Sequence, residues 1–377
     1  MSTINRRDFM RLMGAMAATA ISGSILASCA PPKAVAPTQT AVQPSPTTPS
    51  TPTPPPIPTA TVGRVEAEPT AVKAVGRPDI LKIYPAVKSQ VIYTHHSGVW
   101  SDKTLEPQAL RKMLDASVTQ LTGLTDAQAA WKALFSPEER IAIKVNVFRN
   151  SVIWTHYPLV QAVTTSLIDA GIPAEQILLY DAMTSEFETA EYPVNPDGPG
   201  VRCRGTDSSY TKSFRAGYAE VKLSDLLLQS DALINMPVLK AHMLSGVTFA
   251  VKNHLGTANS PEMLHGFATA LPQLSLLPEI KNRTRLVVGD ILEANLQFAN
   301  SWPYWKADYK GDGIMLSFDP LAADAAAFTV LQKLEADHGY GTSQLKYMAT
   351  PWLESCEAGG VGASSPDNYV LREISLS

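Results

Sequence analysis

The stretch that decides the fold runs from residue 141 to residue 181: IAIKVNVFRNSVIWTHYPLVQAVTTSLIDAGIPAEQILLYD. It opens on Ile141-Ala142-Ile143-Lys144-Val145-Asn146-Val147. This run is β-branched and mostly apolar, as in a strand buried on both faces. Pro158 to Ala170 follows with amphipathic helical spacing and ends at Gly171, a residue suited to the left-handed position after a helix. Gln176 to Asp181 reads as the next strand. Strand, helix and strand within about 40 residues make one βαβ unit, and such a crossover implies parallel pairing.

The alternation continues on both sides. Val91 to Thr94 is β-rich, and Pro107 to Leu121 has helical spacing with Leu110, Met113, Leu114, Val118 and Leu121 on one side. Downstream, Ala232 to Met236 is a strand stopped by Pro237, and Arg285 to Asp290 and Gly313 to Phe318 are two more. A helix then starts with Asp319 as N-cap and Pro320 at its first position, and runs through Ala323 to Leu334. This order predicts an α/β fold: a mainly parallel sheet with helices on both faces, Rossmann-like and three-layered. Residues 184–225 are polar and rich in Gly and Pro, and read as an insertion or long loop. We place a single α/β domain over residues 76–377.

Residues 1–28 read as an export signal. Arg6-Arg7-Asp8-Phe9-Met10-Arg11 is a twin-arginine pattern, addressed to the twin-arginine export machinery. The apolar run Leu12 to Ala27 is interrupted by Gly and Ser and is shorter than the roughly 20 residues a spanning helix needs. Leu26-Ala27-Ser28-Cys29 resembles a bacterial lipobox, which makes Cys29 the expected site of lipidation and the membrane anchor. Residues 29–75 then form a tether, with 11 prolines between residues 31 and 58. Its composition predicts a disordered, polyproline-like spacer that holds the domain away from the membrane.

Composition removes several function classes. The chain has 377 residues, 45% hydrophobic and 18% charged, with a net charge of −4. A buried core is therefore expected, and a basic face for nucleic acid is not. The three cysteines, Cys29, Cys203 and Cys356, form no C-x-x-C pair, so the chain alone ligates no iron–sulfur cluster or zinc ribbon. Cys203 and Cys356 are left either as a disulfide or as two free thiols. No H-E-x-x-H, EF-hand, Walker or G-x-S-x-G motif occurs.

Polar residues gather where the strands end. Lys144 and Asn146 sit in an apolar strand; Asp181, Asn235 and Asp290 each close another. A lysine in such a strand is costly unless it is paired or reaches a ligand. The densest stretch runs from Asn235 to Gly256 and holds Asn235, Lys240, His242, Lys252, Asn253 and His254. Lysine supplies positive charge, asparagine a donor and an acceptor, and histidine a proton shuttle or metal ligand. The mixture suits a small anionic ligand. His254 by itself reads as a satisfied core or surface histidine. Asp290, Asp324 and His242 are candidate ligands for a divalent metal, while Asp319 reads as a plain helix cap. Trp302, Tyr304, Trp305 and Tyr309 put four aromatics in one loop, suited to a lid, to sugar stacking, or to pinning that loop on the core.

Five motifs resemble one known family, domain of unknown function 362. They are Ile143-Lys144-Val145-Asn146, Thr155-His156-Tyr157-Pro158 at a helix start, Asp231 to His242, Lys252-Asn253-His254-Leu255-Gly256, and Ser317 to Asp324. They cover about residues 90–335 in the family's order. The resemblance implies an α/β fold and a pocket made of these motifs, and it implies no particular substrate. Relatives with ferredoxin-type modules imply a redox setting, but this chain lacks the cysteines for one.

The sequence therefore supports an extracytoplasmic, lipid-anchored enzyme of unspecified reaction acting on a small anionic substrate, with a divalent metal or a redox link as options. Lys240, His242 and Asp290 are the catalytic candidates. Lys144, Asn146, Thr155, His156, Asn235, Lys252, Asn253 and Gly256 are the ligand-binding candidates. A lipid-anchored solute-binding or scaffold protein, using the same pocket without chemistry, is the alternative.

Overall fold

In a computed structural model, the structure describes residues 88–377 apart from 149–150, 265–266, 299–302 and 342. The signal, Arg6, Arg7, Cys29, the tether and Trp302 lie outside the described residues. The strands of the main sheet are β1 (Ser89–His96), β4 (Ile141–Lys144), β5 (Ile177–Asp181), β6 (Arg202–Gly205), β9 (Ala232–Asn235), β10 (Val238–His242), β11 (Gly246–Thr248), β12 (Thr284–Asn295), β13 (Tyr309–Ser317) and β14 (Tyr369–Leu376). Two short pairs lie outside it: β2 (Trp100–Ser101) with β3 (Thr104–Leu105), and β7 (Ser213–Ala216) with β8 (Ala219–Lys222).

The sheet order is β14-β1-β13-β12-β9-β4-β5-β6, with β10 paired to β12 and β11 to β10. The pairs β12–β9, β9–β4, β4–β5, β5–β6, β1–β14 and β10–β12 are parallel. Only β13 and β11 pair antiparallel to their neighbours. The mainly parallel sheet read from the sequence is therefore present.

Side-chain alternation distributes the core over two faces. Ile141, Ile143, Ile92, Val288 and Leu316 point to one face. There they pack on α1 (Pro107–Thr122), α2 (Ala127–Leu134) and α3 (Tyr157–Asp169), through residues such as Leu110, Trp131 and Val163. Val91, Val287 and Met315 point to the other face, against α7 (Pro320–Asp337) and α8 (Ser343–Ala358). Ala142, Tyr180 and Leu233 also point that way, against α6 (Phe267–Ser275) and the β7–β8 hairpin. This is the three-layer arrangement. Asp319 caps α7 by accepting the Leu321 and Ala322 N–H groups, as its position before Pro320 predicts.

Three expectations need correction. Residues 184–225 are not one long loop. They fold into α4 (Thr184–Thr189), β6, the β7–β8 hairpin and a helical turn at Asp225–Leu228. Gly and Pro there punctuate short elements rather than remove them. Asp290 does not end its strand: β12 continues to Asn295 between two partners, antiparallel β13 (Glu293 opposite Lys310, Ala294 opposite Tyr309) and parallel β10 (Val238 opposite Asp290, Lys240 opposite Asn295). Apolar patterning stops at Ile291-Leu292, so the polar end of β12 carried no strand signal. Lys144 is the last residue of β4 rather than an interior one, and Asn146 lies just beyond it. Cys203 and Cys356 are both free and buried, in different core clusters. Among the described residues no helix is long and apolar enough to cross a membrane.

Candidate functional site

Parallel register brings the strand ends level. Lys144 on β4 stands opposite Tyr180 on β5 and Asn235 on β9, so the two polar residues and Asp181, the next residue of β5, share one edge of the sheet. The single turn α5 (Ala250–Asn253) lies over that edge and delivers Lys252 and Asn253. Asp324 of α7 holds α5 in place: its Oδ2 accepts the Val251 N–H at 2.7 Å. Burial raises the Asp324 carboxyl to about 8, against the backbone N–H groups of Val251 and Ala250. Asp324 is thus a capping group for α5.

Asn253 is the hub of a buried network. Its Oδ1 accepts from Asn146 Nδ2 at 3.1 Å and from Lys144 Nζ at 3.5 Å. Its Nδ2 donates to Asn235 Oδ1 at 2.8 Å and to the Lys144 carbonyl at 3.3 Å. Asn235 in turn donates to the Ala250 carbonyl at 2.7 Å, tying β9 to α5. Thr155 Oγ1 accepts the Asn146 N–H at 3.0 Å and donates to the Met236 carbonyl at 2.7 Å, which joins the loop after β4 to the end of β9. His254 is fully buried and kept neutral, its pKa lowered to about 3 by burial and then by the charge of Lys144.

The lysines differ in how their charge is met. Lys144 Nζ donates to Asp181 Oδ1 at 2.6 Å, and the side chains are only 1% and 5% exposed. Asp181 Oδ2 also accepts the Val147 N–H at 2.9 Å. Gly256 exists to clear this pair: a Cβ there would stand 2.5 Å from Asp181 Oδ1 and 2.9 Å from Lys144 Nζ. Lys144, a ligand-binding candidate in the sequence, is therefore a member of a buried ion pair. Asp181, absent from the expected site list, is its partner; its place at the end of the strand beside β4 was the available signal.

Lys240 is met differently. Its Nζ donates to Asn146 Oδ1 at 2.7 Å and Ser151 Oγ at 3.1 Å, both neutral acceptors. Burial lowers its pKa from 10.5 to about 7, helped by the charge of Lys144 and opposed by Asp181 and Glu186. Lys252 Nζ donates to Thr248 Oγ1 at 3.2 Å, and Thr248 is the ladder partner of Lys240. Burial and then the charge of Lys240 press Lys252 well below its usual value, with Asp324 opposing. Lys240, in the middle of β10, and Lys252, on α5, thus lie close enough for the charge of Lys240 to oppose that of Lys252.

His156 opens α3 and forms the other wing. Its backbone N–H and Nδ1 approach Asp290 Oδ2 at 2.7 and 2.8 Å, and Nε2 lies 3.3 Å from Glu293 Oε2. Burial alone lowers the imidazole pKa, but Asp290 and Glu293 override it and raise it from 6.5 to about 10. His156 is therefore an imidazolium at neutral pH. Its contribution to stability is complete below pH 6.5 and is lost as pH rises towards 10. Urea unfolding of wild type and His156→Gln across pH 6–10 should show a stability gap that narrows through that window.

Beyond Lys240, His242 Nδ1 accepts the Leu244 and Ser245 N–H groups at 3.1 and 3.3 Å. The ring stacks on Trp305 at 5.4 Å. Trp305 donates Nε1 to the Ala241 carbonyl at 2.8 Å and packs against Phe148, Phe298 and Tyr304. The aromatic loop is thus pinned on β10 as a wall beside Lys240, while Tyr309 belongs to β13 and packs on His338. Asp290, Asp324 and His242 do not share a centre, since each is engaged with the separate partners given above. No group of three His, Cys, Asp or Glu side chains fit to hold a metal occurs among the described residues.

The model of the family described as domain of unknown function (DUF362) matches residues 141–329, half of the chain. The chain belongs to the DUF362 family. Those residues carry every member of the network around Asn253, so the DUF362 region and the polar edge of the sheet coincide. No curated protein sequence matches the chain. Among solved structures, a Thermotoga maritima protein determined as a structural-genomics target is 12% identical with a TM-score of 0.39, over 62% of this chain and 60% of that one. The lactate racemase apoprotein of Thermoanaerobacterium thermosaccharolyticum is 10% identical with a TM-score of 0.30, over 54% of this chain and 50% of that one. The chain therefore spans less than two thirds of either.

Proposed function

We propose that this DUF362 protein is an extracytoplasmic enzyme, anchored to the membrane by a lipid on Cys29, that acts on a small anionic substrate at Lys240. The observation that carries the reading is the unequal treatment of the buried lysines. Lys144 has a carboxylate at 2.6 Å, whereas Lys240 has, among the described residues, only amide and hydroxyl oxygens within hydrogen-bond distance. A buried ammonium without a matching anion is costly. An anionic ligand next to Lys240 and Lys252 removes that cost, and favours the protonated amine. Binding and protonation at Lys240 are thereby linked, which suits a group that both holds an anion and moves a proton near neutral pH. Asn146 is half-buried and orients Lys240.

Isothermal titration with a panel of small carboxylates and phosphates tests this. At least one should bind wild type, and Lys240→Met should weaken it about 10- to 100-fold, the worth of a charge-assisted hydrogen bond. Unchanged affinity in a folded Lys240→Met protein rules the site out. A solute-binding or scaffold protein would bind the same anion and leave it chemically unaltered, which NMR of the recovered ligand distinguishes.

Export and anchoring follow from the first 29 residues. Cys29→Ala should release the protein from the membrane fraction or leave it unprocessed. Replacing Arg6 and Arg7 together by Lys should leave precursor in the cytoplasm. Normal processing and membrane retention in these variants would contradict the assignment.

A further inference from the structure

We infer that a buried water bridges His254 and Ser275, and that through His254 it fixes which way the amides of the Asn253 network face. Asn235 sets the roles. One proton of its Nδ2 goes to the Ala250 carbonyl at 2.7 Å, and a carbonyl can only accept. Its Oδ1 accepts from Asn253 Nδ2 at 2.8 Å. The second Nδ2 proton is left for His254 Nε2, 3.4 Å away. Nε2 must therefore be a bare acceptor. Burial and the charge of Lys144 keep the ring neutral, so its one proton sits on Nδ1.

That Nδ1–H meets no protein acceptor. Neither His254 Nδ1 nor Ser275 Oγ has a hydrogen-bond partner among the described residues, although the two residues are only 2% and 8% exposed. Both line one cavity of about 30 Å³, with apolar walls from Val251, Ile280 and Val361. A water needs about 10–15 Å³ by this measure and about two to four polar partners. One or two waters fit, an organic ligand does not, and the imidazole N–H and the serine hydroxyl supply the first two partners. Lys240 does not line this cavity, so the water site and the anion site stand or fall separately.

With water as its acceptor, Nδ1 keeps the proton. Moved to Nε2, that proton would face the Asn235 Nδ2–H group across 3.4 Å. The Asn235 amide would then turn over, setting its Nδ2 against Asn253 Nδ2 and its Oδ1 against the Ala250 carbonyl. His254 is thus a positioning residue. The water fixes its tautomer, the tautomer fixes Asn235, and Asn235 holds Asn253.

The test is NMR of full-length protein carrying ¹⁵N-histidine, with His254 assigned by its loss in His254→Gln. Long-range ¹H–¹⁵N correlation at neutral pH should show a protonated Nδ1 and a bare Nε2, and the Nδ1–H should give a cross-peak to water. Ser275→Val replaces the hydroxyl by a methyl group. It should abolish that cross-peak, shift His254 towards the Nε2–H tautomer and move the Asn235 side-chain amide resonances. Ser275→Ala, the milder change, should act in the same direction. A wild-type protein with its proton on Nε2, or with no contact between Nδ1–H and water, overturns the water bridge whether or not the variants fold. Either serine variant, folded and with the wild-type tautomer and Asn235 resonances, overturns the positioning role.

Discussion

Asp181→Ala should lower the unfolding free energy by about 3–5 kcal/mol, the usual cost of leaving one member of a buried ion pair alone. The Lys144–Asp181 pair is 2.6 Å long and almost wholly buried, and Asp181 also holds the Val147 N–H. Removing the carboxylate therefore strands an ammonium and a backbone donor together. Adding Lys144→Met to the Asp181→Ala background should be neutral or stabilising, because it takes away the stranded charge. The same Lys144→Met change in wild type should be strongly destabilising. Urea unfolding of the four proteins gives the coupling directly. Additive effects would mean that the two side chains do not pair in solution, and Lys144 would return to the list of groups free to meet a ligand.

The second large effect is expected at Asn253. Asn253→Ala deprives Asn146 Nδ2, Asn235 Oδ1 and the Lys144 carbonyl of a partner at once. Each buried polar group left unpaired costs about 1–3 kcal/mol, and we expect about 3 kcal/mol overall as some of them find water. The loss should also reach Lys240, since Asn146 is positioned by Asn253 on one side and holds Lys240 on the other. Anion affinity should thus fall together with stability, whereas Asp324→Asn, further back behind α5, should affect stability first. Thermal unfolding paired with titration calorimetry reads both quantities. A stable Asn253→Ala protein with wild-type affinity would show that the network is decoration.

How much of this was legible in the residues depended on the physical signal. The buried strands β4, β5 and β9 were legible because continuous apolar runs flanked by Gly and Pro have few other readings. Helix α7 was legible because Asp319-Pro320 is a strong start signal, and Asp319 does cap it. The far end of β12 was not, because its pairing with β10 and β13 is a tertiary contact that leaves no periodicity. The short elements between residues 184 and 222 were hidden for the same reason, being held by packing rather than by their own propensity.

The site divides in the same way. Convergence of Lys144, Asn146 and Asn235 follows from strand ends in a parallel sheet, whereas Lys240 lies inside β10 and Lys252 and Asn253 on α5. Which polar group would satisfy which depends on ångström-scale register. Lys144 and Lys240 look alike in sequence, yet one falls beside Asp181 and the other beside an amide and a hydroxyl. His156 and Asp290, 134 residues apart, meet only because α3 starts where β12 passes. Asp324 reads as a metal candidate in sequence and caps α5 in space because a four-residue helix needs a partner for its first N–H groups.

We propose that Lys240, buried with no carboxylate within hydrogen-bond distance among the described residues, takes up an anion. The most direct measurement is the titration of Lys240 itself, by NMR of protein labelled at lysine Cε, with the resonance assigned by its absence in Lys240→Met. The account predicts a midpoint near 7 in the free protein, moving upward when a bound carboxylate stabilises the ammonium. A midpoint near the ordinary value of 10.5, unmoved by any small anion, would contradict it.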